Sequence, residues 1–280
     1  MPNFDKLTKL LFSTNKLPGQ TFSQLMDAAR QLGVQAFELN ERYDQASWGE
    51  TSRKIQRLRE EFFFVPAVHV LLDWKSLEEV DLPDEVLRGL EALSLAGARV
   101  LNLYVLPDTC PHDAEPRVLV SFLAKLAENV RDLECELKIE NVASTSAPIF
   151  LKDPRVLSSL LQTSGENELG VTLDPANYLM CGIELDDNEC TQLLRVANRL
   201  HVKNFAVAEG STAGWRLWRD SEGRIIRSTS LEAGIFDVST VLRSIRILGV
   251  SPSITIEALQ TVEDLAATVA SLRAIFSDNG

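Results

Sequence analysis

A unit of about 30 residues, the size of one βαβ step, recurs along this chain. It consists of a helical pattern, a short glycine turn and a β-branched apolar run. Helix residues 21–32 end at Gly33 before VQAFEL, and residues 83–96 end at Gly97 before ARVLNLYV. A third helix, 237–248, ends at Gly249 before SITIEAL. Each glycine stands where a helix end needs a left-handed residue before the chain returns as a strand. Thr21 followed by Gln24 fits a capping box, and Pro83 fits a first-turn proline. Leu25, Ala28, Ala29 and Leu32 fall on one helical face, as do Leu265, Val269, Leu272 and Phe276. The apolar runs predict strands near 8–13, 35–39, 63–70, 99–105, 137–141, 170–174, 200–207 and 253–257.

Eight runs, each followed by a stretch able to form a helix, predict an α/β fold with a parallel sheet. Eight such units suggest closure into a (β/α)8 TIM barrel, a single domain over 1–280. A doubly wound open sheet is the alternative from pattern alone, but its G-x-G-x-x-G fingerprint is absent. The stretch 208–231, with Trp215, Trp218 and four arginines, is longer than a simple loop and reads as an excursion over the barrel mouth.

Charge narrows the partners. The formal net charge is −12, with 28 basic residues against 40 acidic ones. A nucleic-acid binder needs a basic surface for counterion release, so nucleic acid is not an expected partner. Cys110, Cys135, Cys181 and Cys190 show no C-x-x-C spacing, which suits a reduced, cytoplasmic protein. No apolar run approaches the roughly 18 residues of a membrane helix, and no signal-peptide core is evident at the N-terminus. A homo-oligomer is compatible with all of this.

In such a barrel, functional groups sit at the C-terminal ends of strands. LKIEN puts Glu140 at the tip of the fifth strand, and GVTLDPAN puts Asp174 at the tip of the sixth, with Pro175 breaking the strand behind it. LHVKN places His201 and Lys203 on one side of the seventh by the two-residue period, and SITIEAL puts Glu257 at the end of the eighth. Three carboxylates and one imidazole suit one divalent ion such as Mn²⁺, Mg²⁺, Co²⁺ or Zn²⁺ bound for chemistry. The absence of thiolates argues against structural zinc. Singly, each residue has a plainer reading as a solvated loop charge or a core histidine; four on consecutive strands change the balance.

IEN, LDPAN, HVKN, LEAGIFD and ITIEAL together resemble the xylose isomerase-like TIM barrel superfamily, the sugar phosphate isomerase and epimerase group. GVQAFEL around Glu38 and VPAVHV around His69 match its second and third strands more loosely. The resemblance implies that Glu140, Asp174, His201 and Glu257 hold the metal. It also implies that Glu140 and Glu257 take and return a proton beside a carbonyl, through an enediolate that the metal stabilises. Lys203, Asn177, Arg216, Glu38 and His69 are candidates to bind the substrate, a small sugar, sugar phosphate, cyclitol or keto acid. Two departures stand out: Asn177 occupies a position where many sugar epimerases carry His, and HVKN replaces the common HVKD at Asn204.

The leading expectation is therefore a metal-dependent isomerase or epimerase. A dehydratase on the same scaffold shares the first proton abstraction, and a non-catalytic sugar-binding barrel is a third reading. Endonuclease IV, a relative on this fold, is excluded: its trinuclear site needs more histidines than the three present, and the charge is wrong.

Overall fold

The computed structural model describes residues 10–14, 21–41, 43–44, 46–163, 169–183, 197, 199–209, 217–247, 252–257 and 261–277. Its strands are β1 (Leu10–Ser13), β2 (Ala36–Glu41), β3 (Phe64–Leu72), β4 (Val100–Val105), β5 (Glu136–Glu140) and β6 (Leu169–Leu173). They are followed by β7 (Arg199–Val202), β8 (Asn204–Val207), β9 (Trp218–Arg219), β10 (Ile225–Thr229) and β11 (Ser253–Ile256). Eight of these close into a parallel barrel in the order β1-β11-β7-β6-β5-β4-β3-β2, with helices between successive strands, a (β/α)8 TIM barrel. All eight predicted strands are present, each within a few residues of its expected position.

The chain forms two compact units, and one is built on Ala36–Val142 with Ser146–Thr172. In it the strands run in register beyond a shift between Ala36 and Glu38: Leu39, Val68, Leu101, Leu137 and Leu169 align across β2 to β6, as do Val70, Leu103, Ile139 and Val171. Residues in register share a face, so these rows form one continuous apolar surface. Helix Asp84–Ala96 lies on that surface so closely that a Cβ added at Gly89 would sit 2.5 Å from Val70 Cγ2. The helix ends at Gly97, whose φ of +69° is the left-handed cap expected from sequence. Pro83 precedes the helix in an extended conformation, one position outside its first turn. The other face of the same strands is polar and buried. Asn40, His69, Asn102 and Lys138 align on it, and Glu140 aligns with Thr172.

The second unit comprises 1–35, Ala143–Thr145 and Leu173–Gly280. Its first described helix, Phe22–Gln31, opens with the predicted capping box: Thr21 Oγ1 accepts from Gln24 N–H, and Thr21 N–H donates to Gln24 Oε1 at 2.8 Å. Leu10, Ile254 and Leu200 align across β1, β11 and β7, as do Phe12, Ile256 and Val202. His201 and Thr255 align on the opposite face. The apolar run 200–207 proves to be two strands. It breaks at Lys203, after which β8 leaves the barrel and joins β10 and β9 in an antiparallel sheet. Within the stretch read as an excursion, 210–216 lie outside the described residues, and the rest supplies β9 and β10 to this small sheet, where Trp218 meets Phe205 edge-on at 5.1 Å.

Asn204 makes that break. Its Nδ2 donates to the carbonyls of Leu231 and Phe236 at 2.9 and 2.7 Å, and its Oδ1 accepts from the amides of Phe205 and Phe236. A buried backbone group without a partner is costly, and this one side chain supplies four partners as the chain changes sheets.

Candidate metal centre

In the first unit, His69 lies on β3 and Glu140 ends β5, both buried, with His69 Nε2 3.4 Å from Glu140 Oε2. Tyr104 meets the imidazole edge-on at 6.0 Å. Asn102, wholly buried, is the register neighbour of His69 on β4. Glu38 is buried on β2. Tyr43, beyond the end of β2, donates to the Leu39 carbonyl; burial first, then the charges of Glu41 and Glu38, push its phenol well above the usual value. It remains a neutral donor across the physiological range.

In the second unit, Asp174 follows β6 and caps helix Pro175–Met180, its Oδ1 accepting from the amides of Ala176 and Asn177 at 2.9 and 3.1 Å. Its Oδ2 accepts from Lys203 Nζ, which also donates to Glu257 Oε2 at 3.0 Å. The other oxygen of Glu257 lies 3.4 Å from His201 Nδ1. Lys203, Glu257, His201 and Asp174 are all buried. Burial raises the Asp174 carboxyl above its ordinary range and Glu257 adds to the rise, against the pull of Lys203 and His201. A carboxyl so placed gains from any cation that enters beside it.

Each unit thus holds one buried His–Glu pair, His69 with Glu140 in the first and His201 with Glu257 in the second. The donor chemistry fits a divalent ion: two imidazoles and two carboxylates, without thiolate, match the nitrogen and oxygen preferences of zinc, manganese or cobalt. Three of these residues belong to the set read from the sequence. The fourth, His69, had been assigned to substrate, whereas Asp174, expected as a ligand, is engaged by Lys203 and two backbone amides.

Of the other candidates, Asn177 is buried in the first turn of its helix, and Arg216 lies outside the described residues. Arg219 donates to the Gly223 carbonyl at 2.6 Å within the β9–β10 turn. Sequence reasoning passed over Asn102. The signal was there, a single amide at an inward position of the apolar run VLNLYV. Cys110, Cys135 and Cys181 are free thiols. Among the described residues no helix is long and apolar enough to cross a membrane.

The closed parallel barrel is a fold that the chain shares with solved xylose isomerase-like TIM barrel proteins. It is similar to the IOLI protein with a bound zinc atom, at 13% identity over 97% of this chain and 99% of that one, with a TM-score of 0.67. It is similar also to 3-keto-D-glucoside 4-epimerase YcjR from E. coli, at 12% identity over 95% and 98% of the two chains and a TM-score of 0.64. The probable 3-DHS dehydratase AsbF from Bacillus anthracis shows 14% identity over 97% and 100%, with a TM-score of 0.62. No protein-family model matches the sequence, and no curated protein matches it.

Proposed function

We propose that the chain is a divalent-metal-dependent isomerase or epimerase of a small carbohydrate-like molecule: a sugar, sugar phosphate, cyclitol or keto acid. The observations that carry this reading are two buried His–Glu pairs on barrel strands or just beyond them, His69 with Glu140 and His201 with Glu257. Asp174 joins Glu140, His201 and Glu257 as a donor, and His69 is a further imidazole beside Glu140. A divalent cation held by these donors would supply the Lewis acidity that polarises a substrate carbonyl and acidifies the adjacent C–H. Glu140 and Glu257 are the two groups that take this proton from one carbon face and return it to the other, or to the neighbouring carbon. Asn177, Glu38 and Arg216 are assigned to substrate hydroxyl or acidic groups. The burial of the cluster excludes bulk water and strengthens each of these interactions.

The fold neighbour described as a probable dehydratase favours a second reading, in which the same proton abstraction is followed by loss of a β-hydroxyl. Metal content by elemental analysis, followed by a sugar panel in deuterated water, tests both. The expected result is one metal equivalent, reduced at least tenfold in occupancy by His201→Ala, and deuterium at the carbon beside a carbonyl. Deuterium in a product of unchanged mass formula indicates isomerase or epimerase; loss of water with a new ultraviolet absorbance indicates the lyase. A protein that takes up no divalent ion on reconstitution would end both readings.

A further inference from the structure

We infer that the face around Phe62, at the N-terminal end of β3, is where a second copy of this chain docks. Helix Trp48–Glu60 ends in a turn in which Phe62 N–H donates to the Arg59 carbonyl at 3.1 Å and Phe63 N–H to the Leu58 carbonyl at 2.8 Å. Such a turn needs a left-handed residue just past the helix, usually glycine. Helices Phe22–Gln31 and Asp84–Ala96 use Gly33 and Gly97, at φ +68° and +69°, but this one uses Phe62 at φ +61°. A bulky side chain strains that backbone. Burial within the chain does not offset the strain, because Phe62 is 88% exposed. Phe64, two residues on, is 69% exposed. Together they leave roughly 300 Å² of aromatic surface to water, already the size of the largest apolar patch on an ordinary monomer.

The same face carries a groove able to receive such a side chain. Its volume is 510 Å³, and Phe62, Phe64, Pro66 and Gly97 line it together with Arg59 and Arg99. A second groove, sharing Arg59, continues between this helix and Asp84–Ala96 past Leu95, itself 43% exposed. A projecting ring beside a groove is self-complementary, the condition for a two-fold contact in which Phe62 of each copy enters the groove of the other. Charge selects the same occupant. Two chains of net charge −12 repel, yet the lining of this groove holds two arginines and no acid. Arg59 gives one of its five N–H donors to the Leu95 carbonyl at 3.2 Å. Glu60 and Glu61 are exposed beside Phe62, and Glu134 pairs with Arg99 at 3.0 Å. A two-fold axis through this face lets these acids of one copy meet the arginines of the other. With the groove walls they cover, the exposed phenylalanines of two copies bury roughly 1,200 Å², the small end of specific interfaces and the size of a reversible, micromolar dimer. The face is remote from the proposed metal centre. Phe64 opens β3 and His69 stands five residues later, roughly 17 Å along the strand, so the inference does not depend on a metal.

The test is sedimentation equilibrium of the full chain from micromolar to millimolar concentration, with the urea midpoint at submicromolar concentration as a second readout. Wild type is expected to rise from the mass of one chain toward that of two. Phe62→Gly is expected to weaken the association at least tenfold and to keep the wild-type midpoint, because glycine takes a φ of +61° without strain and the lost ring is exposed. Arg59→Glu, which sets an acid against the acids of the second copy, is expected to weaken the association as much. Ile149→Ser, at another exposed apolar residue of the same unit, is expected to associate as wild type does. Wild type that stays a single chain throughout, leaving the groove to a different protein, would overturn the inference. So would a dimer that Phe62→Gly and Arg59→Glu leave intact, which must use another face. A midpoint that falls in Phe62→Gly would overturn it too, since the ring would then serve the fold of its own chain.

Discussion

Asn204 is the residue at which HVKN departs from the HVKD of the family the sequence resembles, and the fold gives that departure a reason. An aspartate there would keep the two acceptor contacts to Phe205 and Phe236, but would turn an oxygen toward the carbonyls of Leu231 and Phe236. Three oxygens would then face one another without a proton, in a wholly buried position. Asn204→Asp is accordingly expected to destabilise the protein by roughly 3 kcal/mol, read as a lower urea midpoint at unchanged slope. A midpoint equal to that of wild type would show that the amide is not needed where the chain changes sheets. Its tight surroundings were invisible in the sequence. A Cβ added at Gly234 would fall 1.9 Å from Asn204 Cγ, a contact between residues thirty apart that no local pattern announces. The metal-site residues were far more legible, because Glu140, His201 and Glu257 each interrupt or end an apolar run. The engagement of Asp174 by Lys203 was not legible, because it depends on where two strand tips meet.

At the scale of elements, periodicity located the barrel strands and helices but could not name their partners. HVKNFAV reads as one apolar run, yet β7 pairs in parallel with β11 while β8 pairs antiparallel with β10. Hydrophobic pattern reports burial, and both strands begin with buried residues. The alignment of His69 with Asn102 was hidden for a similar reason: it is set by register, which sequence spacing within β3 does not reveal. The β9–β10 hairpin has its own electrostatic lock. Asp220 accepts from the amides of Glu222 and Arg224 at 3.1 and 2.8 Å and from Arg224 Nε at 2.6 Å. Burial raises the Asp220 carboxyl, but Arg224's hydrogen bonds and charge, with the Glu222 amide, outweigh it and hold the group below its usual range. An acid depressed in the folded state stabilises fully above its unfolded pKa, and that contribution fades as pH falls through the folded one. The hairpin should therefore loosen below about pH 4, the ordinary aspartate value. The Trp218 indole resonance, fixed against Phe205, is expected to shift and broaden in that range by nuclear magnetic resonance. Asp220→Asn should show the loosened signal at every pH. A Trp218 resonance unchanged from pH 6 to 3 would mean that the hairpin is held by packing alone.

Across the whole molecule, the donors of the proposed centre are spread from His69 to Glu257, on four strand ends separated by long stretches of chain. An unfolded chain cannot present them together, so an ion that binds them binds only the folded state. Binding then adds stability by mass action, about 2.7 kcal/mol when free metal is a hundredfold above its dissociation constant. For a chain of this length that corresponds to a rise in Tm of roughly 5–8 °C. The buried carboxylates sharpen the expectation, because in the metal-free protein Asp174 and Glu257 rely on one lysine for compensation. Wild type titrated with Mn²⁺ or Zn²⁺ should show this rise in a thermal scan, saturating at one equivalent. Glu257→Gln and His201→Ala should show little or none of it, while Arg219→Ala, whose side chain closes a turn in the small sheet, should respond as wild type does. An equal rise in all four proteins would place the ion on the acidic surface rather than in the barrel, since a net charge of −12 attracts divalent ions without any built site.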